Sequence, residues 1–227
     1  MRTIRTPRSV WRSGRLSCWQ PGWSSPFHWL SFASTIPEGH GNTGGIKGPD
    51  SVVSNQLGVW RPMLVKLRKA QDADAVGRAE LRSAAAEALT RQFGTGHWSG
   101  IATEKGVRRD MRNSRVFVAS NKGRLVATLR LTTRKPWAID RSYFGASAQP
   151  LYLLSMAVAP DLQRQGIGRQ CVEQIKEICR RWPADAIRLD AYDAPAGAGA
   201  FYAKCGFRKM GRVEYRGCPL LYFEWSI

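Results

Sequence analysis

The stretch LYLLSMAVAPDLQRQGIGRQCVEQIKEICRRW, residues 151–182, decides the fold. Its first eight residues carry one aliphatic hydroxyl and no charge, the pattern of a strand buried on both faces. Pro160 and Asp161 end that strand, because proline has no N–H for a sheet ladder and aspartate favours turns. Beyond them Ile167, Cys171, Val172, Ile175, Ile178, Cys179 and Trp182 recur at three- and four-residue spacing. Arg169, Glu173, Lys176, Glu177 and Arg180 take the opposite side, so an amphipathic helix follows the strand.

The joint between strand and helix is suited to an anion. Gly166 and Gly168 let a ligand approach the backbone, and the first amides of a helix point outward with a partial positive charge. A pyrophosphate is the group this predicts, with Arg164 and Arg169 adding charge-assisted contacts. A Walker A loop is excluded, since neither glycine is followed by Lys and Ser/Thr. Gly166 and Gly168 also give the GxG of a dinucleotide fingerprint, and Asp190 stands where a ribose-binding acid belongs. Cys171 occupies the third glycine position, however, and seven residues separate Val158 from Gly166 where that motif turns directly into its helix.

A strand, a proline turn, QxxGxG from Gln163 to Gly168 and a helix resemble the acyl-CoA-binding motif of the GNAT superfamily of N-acetyltransferases. Phe201-Tyr202-Ala203-Lys204-Cys205-Gly206-Phe207 resembles that family's FYxKxGF segment at about the expected spacing. The resemblance is clearest over residues 151–225 and extends back to Met63. It implies an acetyl-CoA-dependent N-acetyltransferase acting on a primary amine by direct attack. It implies an α+β fold: a mixed, mostly antiparallel sheet of about six to seven strands, helices on both faces, and a splayed central strand pair at 151–158 and 187–192. The backbone of Met156, Ala157 and Val158 would pair with pantetheine, and Gln163, Arg164, Gln165, Gly166, Ile167, Gly168 and Arg169 would hold the diphosphate.

Acetyl transfer also needs proton handling. Tyr202 is the candidate acid: a phenol with a pKa of about 10 stays protonated at neutral pH and can protonate the departing thiolate. For the base, Glu104, Asp140, Asp190 and Asp193 remain open, as does a water chain to backbone carbonyls. Two positions depart from the family pattern. Pro195 stands where an asparagine is common, and Gln163 where arginine is frequent at the start of the glycine motif.

The chain has 227 residues, enough for one good core with an appendage. It carries 35 basic against 17 acidic residues; residues 1–62 hold seven and two of them, so +13 of the +18 belongs to residues 63–227. Such a field suits the phosphates of CoA, nucleic acid or an anionic membrane, although no RNA-binding motif accompanies it. Two rivals to a small-amine acetyltransferase therefore stand: a toxin-like enzyme acetylating aminoacyl-tRNA, and a non-catalytic acyl-CoA sensor. The five cysteines lack paired spacing, which predicts free thiols in the cytoplasm. The three histidines are scattered and no CxxC or HxxxH occurs, so no metal is expected.

Residues 1–62 are rich in Arg, Ser, Gly, Pro and Trp and show no periodicity. They are expected to be a disordered extension or an over-extended reading frame, with 63–227 as the acetyltransferase-like domain and no apolar run long enough to span a membrane. Downstream, 63–69 reads as a strand and 73–93 as a helix with Leu81, Ala85, Leu89 and Phe93 on one face. A short, partly mobile helix is expected within 101–113, then a hairpin over 114–131 turning at Asn121-Lys122-Gly123. The long connection 132–150 is the candidate wall for the acceptor. A strand over 186–192, a short helix starting near Asp193 and Pro195 and capped by Gly206, and a hairpin through Arg216-Gly217 complete the chain.

Overall fold

The computed structural model describes residues 63–227; the expectations for 1–62 fall outside the described residues. The elements run β1 (Arg68–Lys69), α1 (Ala75–Phe93), α2 (Glu104–Asn113), β2 (Arg115–Asn121), β3 (Arg124–Thr132), β4 (Pro150–Val158), α3 (Ile167–Arg181), β5 (Ala186–Tyr192), α4 (Gly199–Lys204), β6 (Arg208–Tyr215) and β7 (Cys218–Ser226). The seven strands form one sheet in the order β1-β2-β3-β4-β5-β7-β6. Only β4 and β5 run parallel; all other neighbours are antiparallel. This is the mixed α+β architecture the sequence predicts.

Both hairpins turn through left-handed pairs, Lys122-Gly123 (φ 47° and 81°) and Arg216-Gly217 (φ 54° and 74°), whose twist matches that of the strands they join. Strand alternation then sorts the side chains. Leu129, Leu131, Leu151, Leu153, Ile187 and Leu189 join Ile167, Cys171, Val172 and Ile175 of α3 in the main core. Thr128 and Arg130, on the other side of β3, meet α1 and α2.

Four expectations need correction. Within 63–69 only Arg68–Lys69 pairs as strand. The preceding backbone is bound by two glutamines one turn apart on α3: Val65 and Leu67 donate to Oε1 of Gln170 and Gln174 at 3.0 and 2.9 Å, while their Nε2 atoms donate to Met63 O and Val65 O, both at 2.8 Å. The buried side of α1 includes Leu81, Ala85 and Leu89 as expected, but also Arg78 and Arg82. Lys176 is not on the solvent face of α3: it is buried, and its Nζ donates to Cys205 O at 2.6 Å. Finally, α4 begins at Gly199 rather than near Asp193. Asp193 N–H still donates to Pro219 O of β7 at 2.9 Å, and its carboxylate pairs with Arg212 instead of capping a helix.

Candidate active site

The site begins with an irregularity in β4. Arg130 of β3 faces Leu154 and Thr128 faces Ala157, so Ser155 and Met156 together oppose Leu129 in a β-bulge. Ser155 takes the strain, with a left-handed φ of 51° in a buried position. The parallel ladder to β5 covers only Pro150–Tyr152 against Ala186–Arg188. Beyond it β4 and β5 separate, which is the splay the sequence resemblance implies, and Met156, Ala157 and Val158 lie on the β4 side of the gap.

Just past β4 the chain makes a 3-10 turn at Pro160–Leu162 and enters α3 through Gly166, whose φ is 80°. A side chain at Gly166 would meet nothing within 4 Å, so the helix tip is open. Gln163 bonds back to Val158 O at 3.2 Å and Gln165 to Asp161 O at 3.3 Å, which fixes the loop while Arg164, Gly166 and Arg169 stay exposed. Ile167 and Gly168 are buried in the first turn. The arrangement fits a diphosphate: amides at the tip, cations at its sides, and room above.

Across the gap, α4 carries Tyr202, buried among Phe201, Phe207 and Phe223 at ring distances of 5.1, 5.6 and 6.2 Å. Its hydroxyl lies 3.9 Å from Met156 Sδ, so it reaches the bulged part of β4. Burial pushes the phenol further above its usual range and keeps it protonated. Gly206 (φ 81°) ends α4 as expected, with Phe207 N–H returning to Tyr202 O at 3.0 Å.

The four candidate carboxylates separate clearly. Glu104 lies on α2 in an exposed pair with Arg108. Asp140 caps the turn Arg141–Tyr143 by accepting from Ser142, and Asp193 is held by Arg212. Asp190 alone is buried in the gap: 1% exposed, its Oδ2 without a protein partner, its carboxyl pushed up by desolvation to about 7. By register it would lie opposite Leu154 had the parallel ladder continued, and both residues line a cavity of about 140 Å³.

The 132–150 connection contributes to this site as a wall and as a clamp. Arg134, Lys135, Pro136, Trp137 and Ala138 line the cavity, and Trp137 is 75% exposed. Tyr143 and Phe144 instead pack on Tyr222, whose hydroxyl donates to Ala138 O and accepts from Asp140 N–H. Arg188, paired with Glu224 at 2.7 Å, also donates to Gly145 O at 2.7 Å and holds the connection down. Sequence reasoning missed Trp98. It packs on the cluster of Ala85, Leu89 and Ala157 and edge-on to Tyr192 at 6.1 Å, spanning from β4 to β5, and its only signal was an aromatic residue inside a glycine-rich break. Among the described residues no cluster suited to a metal occurs.

Comparison with known proteins accords with this geometry. The signature of the family described as "Acetyltransferase (GNAT) family" matches residues 81–207. Among solved structures, the PaiA N-acetyltransferase from Thermoplasma acidophilum in complex with coenzyme A superposes with a TM-score of 0.56 at 14% identity, covering 72% of this chain and 100% of that one. The ribosomal-protein-S18-alanine N-acetyltransferase from Escherichia coli gives 0.54 at 16% identity over 72% and 94% of the two chains. The ribosomal-protein-alanine N-acetyltransferase from Brucella melitensis gives 0.53 at 17% over 71% and 99%. A sequence search of curated proteins finds no match.

Proposed function

Since the chain belongs to the GNAT acetyltransferase family, we propose that it transfers an acetyl group from acetyl-CoA to a primary amine. The observation that carries this reading is the gap that opens between β4 and β5 past the Tyr152–Arg188 pair, on the strand that leads into an open helix tip. Free backbone groups of Met156 and Val158 would pair with the pantetheine arm as a short added strand. The loop from Gln163 to Arg169 would take the diphosphate.

In the proposed reaction the amine nitrogen attacks the thioester carbon directly. Asp190 accepts the amine proton, for which a carboxyl titrating at about 7 is well matched near neutral pH. An amide of the bulged strand faces the thioester oxygen as negative charge builds on it. As the C–S bond breaks, the Tyr202 hydroxyl gives its proton to the thiolate.

Thiol release from acetyl-CoA, measured across small amines, peptides and charged tRNA, tests the proposal. Tyr202→Phe keeps the packing and is expected to retain CoA binding while losing 10²- to 10⁴-fold in turnover, the usual worth of one proton-transfer group. An unchanged rate would remove Tyr202 from the mechanism. Steeply salt-dependent turnover of aminoacyl-tRNA would favour the toxin-like alternative. Tight CoA binding without transfer to any acceptor would favour a sensor. Four buried free cysteines support a cytoplasmic setting, and no described helix is long and apolar enough to cross a membrane.

A further inference from the structure

The face of β3 turned toward α1 and α2 holds an excess of buried positive charge that the reaction above does not use. Arg82 Nη1 donates to Asp110 Oδ2 at 3.2 Å, and Arg130 donates to the other oxygen of the same carboxylate. Arg78, fully buried, donates through Nε to Thr128 Oγ1 at 2.9 Å. Arg82 and Arg130 thus share one carboxylate, and Arg78 is held by a neutral hydroxyl. Arg78 Nη1 and Nη2, Arg82 Nε and Arg130 Nε are buried without any protein partner. Desolvation lowers all three, Arg78 to about 10. Buried cations left unpaired are costly, and donors without a protein partner call for a water or an anion.

The cluster meets a cavity at Arg130. Arg130 belongs to it and also lines the 140 Å³ cavity, together with Arg134 at the rim and with Asn113 and Ser114. By strand register Arg130 faces Leu154, and Leu154 lies level with Asp190 across the splay. Paired strands are about 4.8 Å apart and β4 and β5 have already parted at this level, so the backbones bearing Arg130 and Asp190 stand at least about 10 Å apart across one cavity. One end is cationic and the other is an acceptor of protons. A molecule with an amine at one end and a carboxylate a few bonds away matches both.

We infer that the acceptor is a small amino acid-like zwitterion, its amine directed to Asp190 and its carboxylate seated on Arg130 and Arg134 in the field of Arg78 and Arg82. Arginine suits this seat because its planar fork binds carboxylate through two parallel hydrogen bonds. The buried guanidiniums behind it add attraction that water screens weakly. A polyamine or lysine-rich peptide meets repulsion at the same place. This inference rests on the acetyl-transfer reading for its chemistry, but the carboxylate seat can be examined without transfer.

Two measurements on the full chain test it. Thiol release is compared for alanine and glutamate, for their primary amides, and for a polyamine. The free acids are expected to exceed their amides at least tenfold in kcat/KM. In Arg134→Gln and Arg130→Gln that ratio should collapse toward one through KM, with kcat retained. Arg134 is exposed, so its variant folds even if loss of the Arg130–Asp110 pair unfolds the other. Separately, calorimetry compares N-acetylalanine with its amide. If no acceptor is turned over but the acid still binds in an Arg134-dependent way, the seat stands and the transferase reading falls. Equal handling of acid and amide in both measurements, or a preference for the polyamine, overturns the inference.

Discussion

At Ser155 a single backbone angle changes what the following three residues can do. Without the bulge, Met156 and Ala157 would exchange sheet faces, because one residue of slip inverts a strand. A left-handed conformation costs an L-residue about 1–2 kcal/mol, and a β-branched side chain tolerates it least. Ser155→Val is therefore expected to lower the melting temperature by several degrees, whereas Ser155→Gly should hold or raise it, as thermal denaturation will show. The bulge left one trace in the sequence, the lone serine in an apolar run, and that trace does not specify a positive φ. Asp190 was legible only as one of four carboxylates; choosing it needed the gap, which depends on β4, β5 and β7 at once. Its folded-state pKa of about 7 exceeds the ordinary carboxylate value of 3.8. The sign follows: the folded state holds the proton more tightly, so this group favours folding at low pH and that contribution is lost as pH rises from about 4 through 7. At about 1.4 kcal/mol per unit, several kcal/mol are at stake above pH 7. Asp190→Asn should melt higher than wild type at pH 8, converge with it near pH 5, and lose the rise of kcat/KM near pH 7.

Among the elements, α3 was read from sequence almost residue for residue, because its apolar stripe is local and repeats every turn. The segment 63–67 was misjudged as strand because its alternation is real, while its hydrogen-bond partners, Gln170 and Gln174, lie more than a hundred residues away and resemble ordinary surface glutamines. The side and the tip of α3 thus have separate tasks: the side secures the incoming chain, and the tip faces the gap. Gly166 allows these to be separated by mutation. Gly166→Ala introduces strain without a clash, since the space above is open, and should lower stability slightly with modest effect on CoA. Gly166→Asp adds a negative charge at the proposed diphosphate seat and should raise the Kd for CoA at least tenfold beyond the alanine variant, measurable by calorimetry.

On the scale of the molecule, the sheet consists of two antiparallel blocks, β1–β4 and β5–β7, joined by three parallel residue pairs. A ligand entering the gap touches both blocks and binds only the folded chain. At a hundred times its Kd, CoA should add about 2.7 kcal/mol. For a chain of this size that is a rise of about 5–10 °C in Tm, which a thermal shift assay will detect or refute. The parts of the proposed donor side stand out in the sequence because they are contiguous there. The proposed acceptor side does not, since Arg130, Trp137, Leu154 and Asp190 meet only through the sheet, and the arginines of α1 broke the apolar pattern that marks a core helix.

The short seam between the blocks also sets how the main chain trades its protons with solvent. Along β4 the amides aimed at β3 are locked in a ladder, while those aimed into the gap past Tyr152 face no neighbouring strand. In deuterated water, therefore, slow and rapid labelling should alternate along one buried strand, and the rapid positions should slow once the donor occupies the gap.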